Sequence, residues 1–204
     1  MKLELKVDKL AIEEALRIAE QKTSAEIVPV IIRRSTYVGH VRLTLFLLIL
    51  SVILFVENYF GLIHIWLWLA PVVAGVLAIL LSPLRFIENL FITKSDRQAQ
   101  MTAAAELVFF EQGLYKTEKH TGILLFISMH EHFAVVLADE GIAGKVPKDI
   151  WKDVITLLTT VAKKEDITKG LSEAIKLCGE IASAHFPADA HNKNEIPNRL
   201  IILE

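Results

Sequence analysis

Two apolar runs decide the fold of this chain: residues 43–56 read LTLFLLILSVILFV, and residues 62–81 read LIHIWLWLAPVVAGVLAILL. The first run extends to 41–60 if its end charges reach the headgroups. A helix of about 20 apolar residues crosses a hydrocarbon core of roughly 30 Å, and each run has that length. The short segment ENYFG at 57–61 separates them. The pattern predicts a transmembrane helical hairpin over residues 41–85, with a buried helical pair in a soluble core as the alternative.

Basic residues flank the two apolar runs and are absent from the segment between them. Arg33, Arg34 and Arg42 come before the first run, and Arg85, Lys94 and Arg97 follow the second. Positive flanks stay on the cytoplasmic side of a membrane. The sequence therefore predicts a protein of the cell membrane with two spans and both termini in the cytoplasm. A signal peptide is not expected, because the apolar run follows 40 polar and amphipathic residues.

Composition excludes several classes of protein. The chain has 204 residues, 53% of them hydrophobic, and a formal net charge of −2, so a nucleic-acid binder with a broad basic face is not expected. Its single cysteine, Cys178, excludes an internal disulfide framework and a Cys-rich zinc site. We interpret Cys178 as a small core residue on an apolar helix face.

The remaining sequence, 1–40 and 86–204, is long enough for one domain that the hairpin interrupts. Its patterns predict a helix from Asp8 to about residue 21, a strand at 26–32 and, after the hairpin, a helix at about 96–112. Strands at 122–129 and 133–138 follow as an antiparallel hairpin, and two helices cover 147–163 and about 166–184. Pro29 lacks a backbone donor, so the first strand is expected to lie at an edge or to pair on one side only. The fold class is α/β: a small mixed sheet flanked by helices.

Several segments, taken in order, resemble the TPM-domain family: TSAEIV at 23–28, FFEQGL at 109–114, TGILLFIS at 121–128, VVLAD at 135–139 and NEIPN at 194–198. The last segment is similar to the closing NELPD of a bacterial membrane-protein branch, in which the resemblance implies a two-helix transmembrane insertion. It also implies acid phosphatase activity or divalent-cation binding, which some members have. Asn198 stands where the family motif has an acidic residue.

Acidic residues form one candidate metal site. Asp139 and Glu140 come at the carboxyl end of a predicted strand, and Asp149 begins the next helix with Asp153. Hard cations take several carboxylate oxygens, so this group could hold Ca²⁺ or Mg²⁺. The alternative is that the acids complement the positive end of a helix.

Arg33 and Arg34 form a candidate anion site. If the 26–32 strand runs parallel to the 133–138 strand, the two arginines come near Asp139 and could hold a phosphoryl group. The alternative is that they bind anionic lipid headgroups in front of the first span. His130 and His132 are spaced for one strand face and form a weaker candidate for a transition-metal pair, with a polar turn as the alternative.

Motifs for a phosphate loop, a nucleophile elbow or a zinc protease are missing from the sequence, so no catalytic residue is assigned. We expect a non-enzymatic role: a membrane-anchored cytoplasmic domain that binds another membrane protein during assembly or quality control. The alternative is a divalent-metal-dependent phosphatase acting on phosphomonoesters. The expected partners are the lipid bilayer and a membrane protein, and the sequence leaves self-association open.

Overall fold

A computed structural model describes residues 7–33, 39–61, 66–82, 84, 86–87, 92–162, 166–189 and 193–203, and the structural statements below concern these residues. Its helices and strands follow in chain order: α1 Lys9–Glu20, β1 Glu26–Ile32, α2 Gly39–Phe60, α3 Trp66–Leu81, α4 Lys94–Glu111, β2 Gly122–Ser128, β3 Phe133–Ala138, α5 Glu140–Ala143, α6 Lys152–Val161, α7 Ile167–His185 and β4 Ile201–Leu203. Short 3₁₀ turns at Leu114–Lys116 and Lys148–Trp151 precede β2 and α6.

The four strands form one mixed sheet in the order β3-β2-β1-β4. β1 runs parallel to β2 and β4, whereas β2 and β3 are antiparallel. The predicted fold class, a mixed α/β domain with a small mixed sheet flanked by helices, is confirmed. Three apolar residues near the end of the chain, Ile201–Leu203, form β4 beside β1.

The expectation that β1 lies at an edge or pairs on one side only is wrong, because β1 pairs with a strand on each side. Pro29 is tolerated for a geometric reason. The Glu26 amide donates to Thr121 O at 3.1 Å, so the backbone N–H and C=O groups of the even-numbered residues of β1 point toward β2. Those of the odd-numbered residues point to the other side, where β4 lies. β4 begins opposite Val30, one residue beyond Pro29, and the missing N–H therefore points to a place where no strand needs it.

Each face of the sheet has its own apolar core. On one face α1, α6 and α7 cover alternate residues of all three long strands, such as Ile27, Ile123 and Ala134. On the other face α4 packs Ala105, Val108 and Phe109 over the opposite set of residues. β2 is buried along its whole length, as its continuous apolar sequence requires of a strand covered on both faces. Cys178 and Trp151 are buried in the first core, as packing residues.

Side-chain caps set the helix ends that the sequence indicated. Asp8 Oδ1 accepts the Ala11 amide (3.2 Å) before α1, and Asp166 Oδ1 accepts the Lys169 amide (3.1 Å) before α7. α4 begins two residues earlier than expected, because Thr93 and Asp96 exchange hydrogen bonds of 2.6 and 3.1 Å in front of it. Gly113, at φ +72°, ends this region in the left-handed conformation that glycine adopts freely.

Backbone contacts divide the chain into two compact units, residues 1–35 with 101–204, and residues 36–100. In the second unit α2 and α3 pack against each other, and Val41 and Leu45 of α2 contact Ala78 of α3. The buried residues of α3 recur at every fourth position: Ala70, Ala74 and Ala78, followed by Ser82 just after the helix. Small residues at this spacing let two helices approach closely.

One helical segment, Val41–Phe60, is long and apolar enough to span a membrane by length and composition. Within the described residues the second apolar segment, Trp68–Leu81, falls short of that length, and residues 62–65 of the predicted second span lie outside the described part. The expected pair of spans is therefore not confirmed by helix length.

We expect Gly179→Ala to destabilise the domain, because a Cβ at this position of α7 would lie 2.8 Å from Ala19 Cβ and 3.2 Å from Ala19 Cα. Overpacking of this kind costs about 1–3 kcal/mol, against roughly 1 kcal/mol gained from helix propensity. The net loss should appear as a lower urea midpoint, followed by Trp151 fluorescence with Trp66 and Trp68 replaced by phenylalanine. Lys176→Ala, on the exposed side of α7, is the control, and an equal midpoint for both variants would contradict the packing argument.

Candidate functional site

Two buried glutamates lie where α1 ends and β1 begins. Glu20 is 8% exposed and Glu26 is 4% exposed. Glu20 Oε1 accepts the backbone N–H of Ile27 at 2.9 Å. This bond satisfies an amide of β1 that faces away from β2, at a level of the sheet that β4 does not reach.

The closing segment of the chain wraps onto the second of these carboxylates. Glu26 Oε1 and Oε2 accept the backbone N–H groups of Glu195 (3.1 Å) and Ile196 (3.2 Å). The Asn194 amide, in the orientation that satisfies its neighbours, donates to Glu26 Oε2 at 3.1 Å. Glu195 in turn accepts the amide of Glu118, with its two oxygens at 3.0 and 3.3 Å. The NEIPN segment is thus held to the start of the sheet by reciprocal carboxylate contacts.

Burial changes the proton affinity of both carboxyl groups. It raises the pKa of Glu20 from its ordinary value of 4.5 to about 8, and the charge of Glu26 adds to the effect; hydrogen bonds from Ile27 and Asn198 oppose it. Burial also raises the pKa of Glu26, while the two amides of the closing segment oppose the increase. At neutral pH Glu20 is therefore mostly protonated, which keeps two adjacent negative charges from being buried together.

A cavity of about 300 Å³ opens beside this pair and is lined by Arg17, Glu20, Gln21, Glu26, Ala188, Asp189, Asn194 and Asn198. The guanidinium of Arg17 forms two hydrogen bonds to Glu14, at 2.7 and 2.8 Å. The other polar lining residues are carboxylic acids and side-chain amides. Oxygen ligands of this type suit hard cations or amine donors. Among the described residues, however, no group of three or more His, Cys, Asp or Glu side chains could hold a metal ion.

Sequence reasoning missed this site, although one signal was available. Glu20 follows Leu16 by four positions and so lies on the apolar stripe of α1, where a carboxylate needs a partner. Its partners, Ile27 and Asn198, come from a strand and from the distant closing segment. The stripe indicates a buried acid, but it does not indicate what the acid binds.

The structure gives the candidate metal residues other interactions. Asp139 caps α5: its Oδ1 accepts the Glu140 amide at 2.8 Å, and its Oδ2 lies 3.2 Å from His120 Nδ1. Glu140 is exposed at the first position of α5. Asp149 Oδ1 lies 2.6 Å from Lys152 Nζ, on an exposed surface. These contacts agree with the helix-end interpretation, and Ca²⁺ or Mg²⁺ binding by the three acids stays a prediction.

The candidate anion site depended on an arrangement that the structure does not have. β1 is antiparallel in direction to β3, because β1 is parallel to β2 and β2 is antiparallel to β3. Arg33 follows the last residue of β1, at the end of the sheet where β3 begins, whereas Asp139 follows the end of β3. The expectation that Arg33 comes near Asp139 is therefore wrong. Arg34 lies outside the described residues, so the pair as an anion site stays a prediction.

The turn between β2 and β3 contains the candidate histidine pair. His132 has φ +51°, and its Nδ1 lies 2.9 Å from Ala162 O, so this ring makes a contact with the end of α6. Ser128, at the end of β2, is buried and hydrogen-bonded to the carboxylate of Glu131. These contacts favour the structural interpretation of a polar turn.

Comparison with known proteins agrees with the resemblance found in the sequence. Residues 88–181, just under half of the chain, match the sequence model of the TPM domain. Among solved structures, the NMR structure of the BA42 protein from the psychrophilic bacterium Bizionia argentinensis is similar to this chain, with a TM-score of 0.63 and 18% identity over 98% of each chain. At that identity the likeness concerns the fold alone. No curated protein matches the sequence.

We expect Glu20→Gln to reduce the pH dependence of stability. The pKa of Glu20 is raised in the folded state. Its contribution to the free energy of unfolding is therefore complete below about pH 4.5 and is lost as the pH rises through about 8. The free energy of urea unfolding should fall for the wild type by up to about 1.4 kcal/mol for each pH unit in this window, and less steeply for the variant. Glu106→Gln, at an exposed position of α4, is the control. Parallel curves for the wild type and Glu20→Gln would contradict the assignment.

We expect Glu26→Gln to loosen the closing segment, because an amide group places a donor against two backbone N–H groups that need acceptors. Hydrogen exchange measured by mass spectrometry should become faster at residues 195–203 while β2 stays protected. Glu106→Gln, at an exposed position of α4, provides the matched control. Unchanged exchange in the closing segment would show that Glu26 does not hold it.

Proposed function

We propose that this chain is a membrane-anchored TPM domain that binds a membrane protein or complex from the cytoplasmic side, in assembly or quality control. The observation that carries the proposal is the surface of α2. Only 6% of the residues in the apolar stretch of this helix are buried. A helix with such a surface needs lipid or another protein around it.

The exposed side chains of α2 and α3 are large and apolar. In α2 they include Leu43 at 60% exposure and Phe55 at 71%, and in α3 Trp68 at 85% and Ile79 at 64%. This distribution counts against the alternative of a buried helical pair in a soluble core, in which such side chains would face inward. Burying them in hydrocarbon removes the same area from water that a core would remove.

A second crossing by α3 and the residues before it is supported by the way the two helices pack. Ala70, Ala74 and Ala78 give α3 a face of small residues, and Arg42 Nε donates to Ser82 Oγ at 3.3 Å near the ends of the pair. Transmembrane helices associate through such small-residue faces and through hydrogen bonds at their ends. Together with the basic flanks, this favours two spans with both termini in the cytoplasm.

A binding role is supported over catalysis by the positions of the polar groups. The residues that a metal-dependent phosphatase would combine, Arg33 and Asp139, follow opposite ends of the sheet. The buried pair Glu20 and Glu26 is engaged with backbone amides of β1 and of the closing segment. Acids that satisfy backbone donors stabilise the fold, and they are less available to a substrate.

Anchoring can be tested by comparing the full chain with a variant in which residues 39–82 are replaced by a flexible Gly-Ser linker. We expect the wild type to stay with membranes after an alkaline carbonate wash and to require detergent for extraction. The variant should move to the soluble fraction with an unchanged thermal transition for the remaining domain. Recovery of the wild type in the soluble fraction without detergent would contradict the proposal.

Topology and binding need their own measurements. Protease added to intact cells should leave residues 101–204 uncut, and digestion of this part would contradict the cytoplasmic orientation.

In mild detergent, one membrane protein should co-purify with the wild type in constant proportion and be lost with the linker variant. Repeated recovery of the chain without another membrane protein would contradict the binding role.

A further inference from the structure

The outer edge of β3 has backbone groups that the sheet does not use. The Asp139 amide donates to Gly122 O at 2.9 Å, and this bond sets the phase of the antiparallel ladder. Since hydrogen-bonded and non-hydrogen-bonded pairs alternate, Val135 and Leu137 bond to β2. The N–H and C=O groups of the other residues therefore point away from the sheet, at Ala134, Val136 and Ala138.

These outward groups have no hydrogen-bond partner among the residues that the structure describes. The strand, FAVVLA, also lacks the devices that usually block an edge, since it contains no charge, proline or glycine. Five of its six side chains are partly exposed, and only Ala134 is buried. An apolar strand with open donors and acceptors can accept another strand.

The sequence of the strand is nearly symmetric about Val136. Ala134 and Ala138 lie at equal distances on either side, and Val135 and Leu137 flank the centre. We propose that β3 pairs with β3 of a second copy of this chain, antiparallel, about a two-fold axis at Val136. A two-fold interface must be self-complementary, and this strand presents the same outward groups in both directions.

Side chains fit this register on both faces of the joined sheet. Val136 meets its own counterpart, each Ala134 lies opposite the second copy's Ala138, and each Val135 lies opposite the second copy's Leu137. Apolar cross-strand pairs of this kind stabilise sheets.

The dimer would join two four-stranded sheets into one sheet of eight strands. Three outward residues on each copy would supply six new backbone hydrogen bonds, which is a short interface. Confinement of both copies to one membrane would raise their effective concentration and favour it. The pairing is nevertheless independent of the proposed anchoring, because it rests on the geometry of β3 alone.

Cysteine cross-linking tests the register directly, in the full chain reconstituted in detergent micelles with Cys178→Ala. In a hydrogen-bonded antiparallel pair the Cα atoms are about 5.5 Å apart, within the range of about 4.4–6.8 Å for a disulfide. Val136→Cys should therefore form a covalent dimer under mild oxidation. Ala134→Cys faces the same side of the strand, but its counterpart lies about 13 Å away along the strand, so it should remain monomeric.

A second variant tests the outward donor. Ala134→Pro removes one unused N–H at an edge position where proline is tolerated in the fold. Light scattering after size exclusion should give a dimer for the wild type and a monomer for Ala134→Pro. Ala134→Ser keeps the N–H and a similar volume, and it should remain dimeric.

Several results would overturn the proposal. One is a monomeric wild type whose Val136→Cys variant does not cross-link; another is a dimer that persists in Ala134→Pro without a Val136→Cys cross-link, which places the contact elsewhere, as in α2 or α3. Cross-linking of Val136→Cys in native membranes to a different protein would show that another strand occupies the edge. Because these measurements do not depend on whether the chain sediments with membranes, the two proposals can fail separately.

Discussion

The backbone donors on the outer side of β1 impose the constraint on which the domain depends. β2 pairs with the whole length of β1, whereas β4 pairs only with Val30, Ile31 and Ile32. The backbone N–H groups of β1 that point away from β2 therefore need acceptors from different parts of the chain. Glu20 accepts from Ile27, proline removes the donor at position 29, and Leu203 O of β4 accepts from Arg33 at 3.2 Å. Buried donors without acceptors cost about 1–3 kcal/mol each, and three different devices meet this need along seven residues.

These devices also explain the acidic pocket. To reach β1, the last residues of the chain must cross the start of the sheet, and Glu26 holds them there by two backbone amides. The cost is a pair of carboxyl groups in a poorly solvated place, which the protein limits by keeping Glu20 protonated. The raised pKa of Glu20 and the burial of Glu26 are thus explained by the way in which the closing segment is held to the sheet. For this reason we place the function of the domain at its exposed surfaces.

Sequence patterns predicted much of the architecture. The apolar stripe of α1 has the period of a helix. β2 and β3 are short apolar runs separated by a polar turn, as in a hairpin of buried strands. The caps at Asp8 and Asp166 were also predictable, because capping is a local interaction within three residues. β4 was not, since three apolar residues near the end of a chain become a strand only where an open edge is available.

The sequence by itself determined which segments are apolar, which periods they follow and which family the domain resembles, because these properties depend on near neighbours in the chain. The tertiary structure alone decided that Arg33 and Asp139 lie at opposite ends of the sheet, that Glu20 meets Ile27 and Asn198, and that β3 is an outer strand of the sheet. Strand order and direction join residues that are distant in the chain. A local pattern specifies that a strand forms, but pairing energy and loop geometry select its partner.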